Sequence, residues 1–332
     1  MEKELKVAVI GGGSWGTALV KILLNKDSYV NWWVRRQETV DYIKNYHRNP
    51  NYLRYAELYP ERLLLSTDLK QIIDESDMLI FAIPAPFLKE TLDKANITDL
   101  SDKIIVSAIK GIVPFENNIV GDFFQSKYNV KPNNIGVIAG PCHSEEVSMQ
   151  KLSYLTIAFK DNEKANFLAG RLQTRFMKIS TTNDIVGTEY AAVLKNIIAI
   201  ANGICIGLGY GDNFQAVLIV NAVREVKRFL SEVNHLSRDI NETVYMGDII
   251  VTAYSKFSRN RMFGNFIGKG YSVKSTMAEM KMVAEGYYAV KCIVEINKKH
   301  QVYMPITQAV YNIIYNRHSP FSEVKLLADK LN

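Results

Sequence analysis

The amino-terminal 26 residues contain the pattern that most constrains the fold of this chain. Residues 5–10 (LKVAVI) are a short, mostly apolar and β-branched run, which is typical of a buried parallel strand. The glycine-rich segment 11–16 (GGGSWG) comes next, and residues 17–26 (TALVKILLNK) have helical spacing. A strand, a glycine-rich turn and a helix in this order predict a βα unit that binds a dinucleotide.

Three glycines of the turn have separate physical roles in that interpretation. We expect Gly11 to allow a tight turn, Gly13 to let the backbone approach a pyrophosphate, and Gly16 to let helix and strand pack closely. The unpaired N–H groups and the dipole at the start of the helix would attract the phosphates. A glycine turn with a purely structural role is the alternative.

Arg35 and Arg36 follow the second predicted strand, residues 29–34 (YVNWWV). A site that prefers NAD usually has an acidic residue here, about 20 residues beyond the glycines, which binds the ribose 2′-hydroxyl. Guanidinium groups suit a 2′-phosphate instead. We therefore expect NADPH to bind at least as well as NADH, unless both arginines are solvated surface residues.

Further strands are predicted from short apolar runs along the chain. Open α/β sheets bind ligands outside the carboxyl ends of their strands. We therefore expect Pro84, Lys110 and Gly140, each just beyond a strand, to line one crevice, and a ligand contact is favoured for Lys110 over a plain surface position. The runs are residues 78–83, 104–108, 135–139, 153–159 and 176–179.

Lys195 and Asn196 lie inside the most apolar stretch of the chain, residues 185–213. About 20 apolar residues suffice to span a membrane, but a lysine inside a span is costly unless it has a partner. A buried helix facing a polar cleft is therefore favoured. In that position Lys195 is expected to have a carboxylate partner or a lowered pKa, either of which suits proton transfer. A lysine that reaches out to solvent is the alternative.

Helical patterns replace strands from about residue 186, with Asp248 and Ser258-Arg259-Asn260 as polar groups among them. Asp248 could pair with the lysine or hold a substrate hydroxyl. The other three residues could form a phosphate cradle, although a simple turn is the alternative. The predicted helices are residues 214–233, 245–256, 274–298, 306–316 and 322–331.

The predicted fold is therefore an α/β Rossmann-type dinucleotide-binding domain, residues 1–185, followed by an all-α substrate and catalytic domain, residues 186–332. We expect the ligands to bind in a cleft at the domain boundary.

Composition fits this interpretation. The 332 residues are 48% hydrophobic and 22% charged, as in an ordinary two-domain globular protein. The net charge of +6 is modest, without the run of lysines and arginines that a nucleic-acid arm would have. Three widely spaced cysteines argue against a disulfide framework and against a zinc site, so we expect no metal. The start of the chain has no signal-peptide pattern, and we expect a cytoplasmic protein without a transmembrane segment.

Taken together, these motifs resemble one family, the bacterial-type NAD(P)-dependent glycerol-3-phosphate dehydrogenases. The resemblance covers nearly the whole chain and implies reversible reduction of dihydroxyacetone phosphate to sn-glycerol 3-phosphate, which supplies glycerophospholipid synthesis. The oligomeric state stays open, with a homodimer as one option. The motifs that match are GGGSWGTALV, Lys110-Gly111, Gly140-Pro141, Leu194-Lys195-Asn196, Gly247-Asp248, Ser258-Arg259-Asn260-Arg261 with Phe263-Gly264, Glu285-Gly286-Tyr287 and Met304-Pro305-Ile306.

The resemblance implies a role for individual positions. Lys195 matches the general acid/base, and Lys110 matches a residue that contacts both substrate and cofactor. Arg259 and Asn260 match the residues that hold the substrate phosphate, and Arg259 is also close to the cofactor. The remaining substrate positions are Gly140, Cys142, Asp248 and Ser258. The remaining cofactor positions are Gly11, Gly13, Ser14, Trp15, Gly16, Arg35, Arg36, Ser144, Val283 and Glu285.

Three segments depart from the family pattern. Cys142 replaces a usual serine or threonine, so a weak thiol donor stands where a hydroxyl is expected. Residues 244–246 replace a usual Ala-Gly, and residues 220–222 replace a usual Thr-Arg-Gly. Two rival interpretations are a β-hydroxyacid or sugar-acid dehydrogenase, which shares a Lys-Asn helix, and an NADP-binding sensor without catalysis.

Overall fold

The computed structural model describes residues 5–26, 29–114, 116–280 and 283–332. These residues form two compact units. The first contains the chain up to Ile109 together with Val120–Ile185, and the second contains Lys110–Ile119 together with Val186–Asn332.

The first unit is built on an eight-stranded sheet with the order β3-β2-β1-β4-β5-β6-β7-β8. All neighbouring strands run parallel except β6 and β7, which are antiparallel. The strands are β1 (Val7–Ile10), β2 (Val30–Trp33), β3 (Leu63–Ser66), β4 (Met78–Phe81), β5 (Ile104–Ser107), β6 (Ile135–Ala139), β7 (Ser153–Phe159) and β8 (Met177–Thr182).

Among the described residues, seven α-helices belong to this unit. They are α1 (Ser14–Leu23), α2 (Gln37–Tyr46), α3 (Leu69–Asp74), α4 (Leu88–Lys94), α5 (Val120–Tyr128), α6 (Ser144–Ser148) and α7 (Asn162–Leu172). The central strands β1, β4 and β5 are buried along their whole length, as their continuous apolar sequences predict. The first five strands have the order 3-2-1-4-5, which is that of a doubly wound dinucleotide-binding fold.

The second unit is helical. Its helices are α8 (Ile185–Gly207), α9 (Asp212–Val233), α10 (Asp248–Tyr254), α11 (Arg259–Gly268), α12 (Val273–Glu279), α13 (Glu285–His300), α14 (Pro305–Ile314) and α15 (Pro320–Ala328), with a π-helical turn at Thr243–Gly247. The predicted fold class, a Rossmann-type unit followed by helices, is confirmed.

Helix α8 is long and apolar enough to span a membrane by length and composition, with a mean hydropathy of 1.5. However, 83% of its most apolar window is buried inside the protein, as in the core helix of a folded domain.

Some predicted boundaries are wrong. The stretch 185–213 is not one helix, because α8 ends at Gly207 and Gly209 takes a φ of +87° before α9 begins. The predicted helix 274–298 is two helices, α12 and α13. Strand β3 was not predicted at all.

The predicted division at residues 185 and 186 also needs a correction. Residues 110–119 group with the helical unit and not with the sheet. A physical reason is that Asn196 Nδ2, on α8, donates a hydrogen bond of 2.8 Å to the carbonyl oxygen of Lys110. The assignment of cofactor binding to one domain and catalysis to the other stays a prediction.

Candidate active site

The glycine turn between β1 and α1 is closed by tight backbone packing. Gly11 has a φ of +135°, and a Cβ there would lie 2.6 Å from the carbonyl oxygen of Ala82. A Cβ on Gly16 would overlap the carbonyl oxygen of Gly11. These two glycines are therefore required by the fold itself, in the roles that the sequence predicts.

Gly13 differs, because the protein alone does not require a glycine there. Its φ is −76°, and a Cβ would meet no protein atom within 4 Å. Gly13 is also the N-cap of α1, and because it has no side chain it makes no cap hydrogen bond to the first N–H groups of this helix. Open space beside uncapped N–H groups at a helix N-terminus fits a bound pyrophosphate. The residues present therefore fit a dinucleotide.

Buried polar side chains that the sequence analysis missed hold this turn. Trp32 Nε1 donates to the carbonyl oxygen of Gly11 at 2.9 Å. Asn49 Nδ2 donates to the carbonyl oxygen of Gly12 at 3.0 Å and to Thr17 Oγ1 at 2.9 Å. No sequence signal pointed to Asn49, because it lies in a loop 37 positions beyond Gly12.

Arg35 and Arg36 lie just beyond the carboxyl end of β2, and both are exposed. Arg36 is the N-cap residue of α2, and its guanidinium lies 3.4 Å from the Glu38 carboxylate. This exposed ion pair constrains the arginine weakly. Both guanidinium groups are thus placed at a strand end, where the ribose of a dinucleotide is expected.

The segment after β6 forms a second turn in the same unit. Gly140 has a φ of +119°, which favours glycine. Cys142 is 5% exposed, and its thiol donates to the carbonyl oxygen of Gly140 at 3.2 Å. Ser144 is the first residue of α6, and its hydroxyl donates to Glu145 at 3.0 Å. The Cys142 thiol therefore takes part in holding this turn.

In the helical unit, Lys195 Nζ forms an ion pair with Asp248 Oδ2. The two side chains are 3% and 2% exposed, so the prediction that Lys195 has a carboxylate partner is confirmed and the alternative that it reaches solvent is excluded. Asp248 begins α10 directly after the π-helical turn, a feature that often occurs at functional sites. Thr252 Oγ1, one turn further, donates to Asp248 Oδ1 at 3.4 Å.

Close backbone contact between α8 and α11 places Arg259 near this pair within the helical unit. A Cβ on Gly203 would overlap the carbonyl oxygen of Arg261, and a Cβ on Gly264 would overlap that of Ile200. The same pattern recurs one turn on, at Gly207 and Gly268, so the helices run in the same direction. The N-terminus of α11 therefore lies about one turn along α8 from Lys195.

Ser258 and Asn260 shape this N-terminus. Ser258 is the N-cap, and its hydroxyl accepts a hydrogen bond of 3.2 Å from the N–H of Arg261. Asn260 Oδ1 accepts a buried hydrogen bond of 2.9 Å from the N–H of Gly286. That bond orients the amide, so Nδ2, the donor end, is directed elsewhere. A donor beside an arginine at a helix N-terminus suits a phosphate.

The start of α13 joins the same cluster. A Cβ on Gly286 would lie 2.7 Å from the carbonyl oxygen of Asn196, so the helix start packs directly on α8. Glu285 is the first residue of α13, and Val283 lies two residues before it. The helical unit thus brings together Lys110, Lys195, Asp248, Ser258, Arg259, Asn260 and the segment that carries Val283 and Glu285. The sheet unit carries Gly11, Gly13, Ser14, Trp15, Gly16, Arg35, Arg36, Gly140, Cys142 and Ser144.

A doubly wound dinucleotide-binding unit, together with a helical unit that buries a lysine–carboxylate pair, defines an NAD(P)-dependent oxidoreductase. Comparison with family models identifies the family within this class of oxidoreductases. Residues 6–165 match the NAD-dependent glycerol-3-phosphate dehydrogenase N-terminus, and residues 184–325 match the C-terminus of the same family. The chain belongs to the NAD-dependent glycerol-3-phosphate dehydrogenase family.

Individual relatives agree. A protein of an Exiguobacterium species is 36% identical over 322 residues, which cover 97% of this chain and 94% of the relative. A protein of Bacillus pumilus is 35% identical over 311 residues, which cover 93% and 90%. Both carry the name glycerol-3-phosphate dehydrogenase (NAD(P)+).

Solved structures agree on the fold. Glycerol-3-phosphate dehydrogenase from Coxiella burnetii superposes with a TM-score of 0.90 at 26% identity and covers 98% of both chains. A D-mandelate dehydrogenase reaches a TM-score of 0.61 at 17% identity, which shows a shared fold alone. These findings favour the glycerol-3-phosphate dehydrogenase family over the hydroxyacid alternative.

Proposed function

We propose that this enzyme reduces dihydroxyacetone phosphate to sn-glycerol 3-phosphate with NAD(P)H, reversibly, and so supplies glycerophospholipid synthesis. The relatives' names support this reaction. The observation that carries the proposal is the buried ion pair between Lys195 and Asp248, close to a helix N-terminus suited to phosphate.

Lys195 is the general acid in the direction of reduction. When bound, the reduced nicotinamide supplies the hydride to C2 of the substrate. The Lys195 ammonium donates its proton to the carbonyl oxygen as negative charge develops there. The Asp248 carboxylate compensates the ammonium charge in this buried position and holds Nζ in place, and Thr252 in turn orients the carboxylate.

Arg259 and Asn260 bind the substrate phosphate. Arg259 offers a guanidinium at the first position of α11, where the helix dipole also favours an anion. Asn260 adds its Nδ2 donor, which the Gly286 contact orients. Lys110, Gly140, Cys142 and Ser258 complete the proposed substrate contacts.

The glycine turn binds the cofactor pyrophosphate, with Ser14 and Trp15 at the start of α1 beside it. Arg35 and Arg36 bind the 2′-phosphate, so NADPH binds at least as well as NADH. Ser144, Val283 and Glu285, with Lys110 and Arg259, are further proposed cofactor contacts.

The enzyme works in the cytoplasm as a homodimer in this proposal. On the helical unit, the apolar side chains of Val220, Phe321 and Leu326 are each more than half exposed, and in this proposal a second copy covers them. Light scattering coupled to size-exclusion chromatography tests the assembly, and a mass of one chain, 37.7 kDa, would contradict it.

The reaction is tested by following NADPH and NADH oxidation with dihydroxyacetone phosphate, and separately with a β-keto acid. The proposal predicts oxidation with the phosphorylated ketone only, and a rate with NADPH at least equal to that with NADH. Oxidation with the keto acid alone would favour the hydroxyacid alternative. Cofactor binding without turnover on either substrate would favour the sensor.

A further inference from the structure

Asn49 lies outside every motif described above, yet it is fully buried beside the glycine turn. Its Nδ2 donates to the carbonyl oxygen of Gly12 and to Thr17 Oγ1, at 3.0 and 2.9 Å. Its Oδ1 accepts from the N–H groups of Asn51 and Tyr52, at 3.0 and 3.2 Å. Both amide hydrogens and both lone pairs are thus used, which fixes the orientation of the side chain.

The hydrogen bonds continue through Thr17 to the next peptide of the turn. Thr17 Oγ1 accepts from Asn49 and donates to the carbonyl oxygen of Gly13 at 2.9 Å. The carbonyl groups of Gly12 and Gly13 are therefore both held from the same buried network. We call this network, Asn49 with Thr17, the amide relay.

The amide relay also determines where the N–H groups of the turn point. In a trans peptide the C=O and the following N–H point in opposite directions, and the described residues contain no cis peptide bond. Holding the Gly12 carbonyl therefore directs the Gly13 N–H away from Asn49. Holding the Gly13 carbonyl likewise directs the Ser14 N–H out of the helix start, and a Cβ on Gly13 would meet open space.

We propose that Asn49 is a positioning residue for the cofactor pyrophosphate and acts by orienting the N–H groups of the glycine turn through the amide relay. A donor group that is fixed in place before the ligand arrives costs no ordering entropy on binding. This inference rests on the proposed function, since it refines how the dinucleotide is held.

Asn49→Asp tests the role of Asn49 in the glycine turn while keeping its contacts within its own loop. The substitution keeps an oxygen to accept from Asn51 and Tyr52, but it replaces the donor to Gly12 and Thr17 with a second oxygen. Thr17→Val breaks the relay at its other member without touching the loop, and Thr17→Ser, which keeps the hydroxyl, is the matched control.

The test compares two ligands that share the adenosine group, ADP-ribose, which contains the pyrophosphate, and adenosine, which does not. Calorimetry gives the affinity for ADP-ribose, and saturation-transfer NMR gives that for adenosine. We expect Asn49→Asp and Thr17→Val to lower the affinity for ADP-ribose about tenfold or more. This is the loss expected when an oriented donor to a charged group is removed. Adenosine affinity and the KM for dihydroxyacetone phosphate at saturating NADPH should change less than about twofold, and Thr17→Ser should behave as the unmodified enzyme.

An equal loss of affinity for ADP-ribose and for adenosine would overturn the proposal. Unchanged ADP-ribose affinity in folded Thr17→Val would overturn it as well. Because ADP-ribose binding needs no substrate, failure of the relay is distinguishable from failure of the proposed reaction. An unmodified enzyme that does not bind ADP-ribose would overturn both the relay and the dinucleotide site, whereas one that binds it without reducing dihydroxyacetone phosphate would overturn the reaction alone.

Discussion

Gly13 is the residue where the demands of the fold and of the ligand can be separated. Neighbouring glycines of the turn are needed because backbone or side-chain atoms occupy the space of a Cβ. At Gly13 that space is open, so packing gives no reason for glycine, whereas a bound pyrophosphate would.

Gly13→Ala should therefore leave the fold intact and weaken the binding of the cofactor. We expect the free energy of unfolding to fall by no more than about 1 kcal/mol, the cost of a poorer N-cap residue. The Kd for NADPH, measured by fluorescence titration, should rise at least about tenfold. Gly12→Ala is the comparison, because its Cβ would lie 2.7 Å from Val34 Cγ1 and should lower the melting temperature. Unchanged NADPH affinity in Gly13→Ala would contradict this account of the turn.

Arg259→Lys tests the phosphate site at the start of α11. A lysine keeps the charge but loses the two-pronged hydrogen bonding of the guanidinium. We expect the KM for dihydroxyacetone phosphate to rise roughly 10- to 100-fold, as for loss of a charged hydrogen bond, with a smaller effect on kcat. Lys256→Ala, an exposed change in the preceding loop, is the control and should leave KM unaltered. A normal KM in Arg259→Lys would indicate that the substrate phosphate binds elsewhere.

Glu225 predicts a pH dependence of stability. Its buried carboxylate accepts hydrogen bonds from the N–H groups of Ile306 and Thr307, at 2.8 and 2.9 Å, and so caps α14 from α9. Burial nevertheless raises the pKa of Glu225 above its ordinary 4.5, although the hydrogen bonds from Thr307 and Ile306 oppose this. As the pH rises above 4.5, the unfolded chain releases its proton before the folded protein does, and stability falls.

Urea unfolding of the unmodified enzyme and of Glu225→Gln between pH 5 and 8, roughly the window above an ordinary glutamate pKa, measures this effect. Glutamine cannot ionise, so the unmodified enzyme should lose stability relative to Glu225→Gln as the pH rises. Glu232→Gln, an exposed change on the same helix, should show no such trend. A stability difference that is constant, or that grows in favour of the unmodified enzyme, would be inconsistent with the raised pKa.

Sequence reasoning located charged residues better than neutral ones. A lysine inside an apolar helix needs a partner, so the pairing with Asp248 was among the expectations, and the structure confirms it. Asn49, in a loop, and Thr17, in α1, gave no comparable signal, because a neutral polar residue is ordinary in either place until its neighbours are known. Thr252 was missed for the same reason.

At the scale of elements, the contact between α8 and α11 determines where the proposed phosphate site lies. Four glycines let the two backbones approach closely, and the approach sets how far Arg259 is from Lys195 along α8. The glycines are spaced four residues apart on both helices, at 203 and 207 and at 264 and 268.

Gly264→Ala should disturb both packing and substrate binding. Its Cβ would overlap the carbonyl oxygen of Ile200. This is a backbone atom, so a side-chain rotation cannot relieve the overlap. We expect a loss of about 1–3 kcal/mol, or more, in the free energy of unfolding, as for overpacking, and a raised KM for dihydroxyacetone phosphate. Gly170→Ala, on α7, has nothing within 4 Å of its Cβ and is the matched helical control, which should be neutral or stabilising. Equal melting temperatures for the two variants would refute the packing argument.

Element boundaries were predicted well where the sequence pattern is strong. They were predicted poorly where tertiary contacts determine where an element begins or ends. Strand β3, with the sequence LLLS, is short and only half-buried, so it has little signal. The pattern of residues 274–298 favours one helix. However, α13 begins at Glu285, since Asn260 binds the Gly286 N–H and the helix start packs on Asn196. No local feature of the sequence indicates these two contacts.

At the scale of the whole molecule, the glycine turn lies in one unit and the buried ion pair in the other. The fold class was predictable because each βα element has a clear pattern. The membership of residues 110–119 was not, since contacts with distant parts of the chain, such as the hydrogen bond from Asn196 to Lys110, are not visible in the sequence. In the proposed reaction, Lys195 transfers the proton.

The most direct test is the turnover of Lys195→Met with dihydroxyacetone phosphate and NADPH, measured beside NADPH affinity. We expect kcat to fall by at least about 10²- to 10⁴-fold, the usual contribution of a general acid, while the Kd for NADPH changes less than about threefold. Lys227→Met, an exposed change on α9, should retain full activity. A folded Lys195→Met enzyme with undiminished kcat would contradict the account.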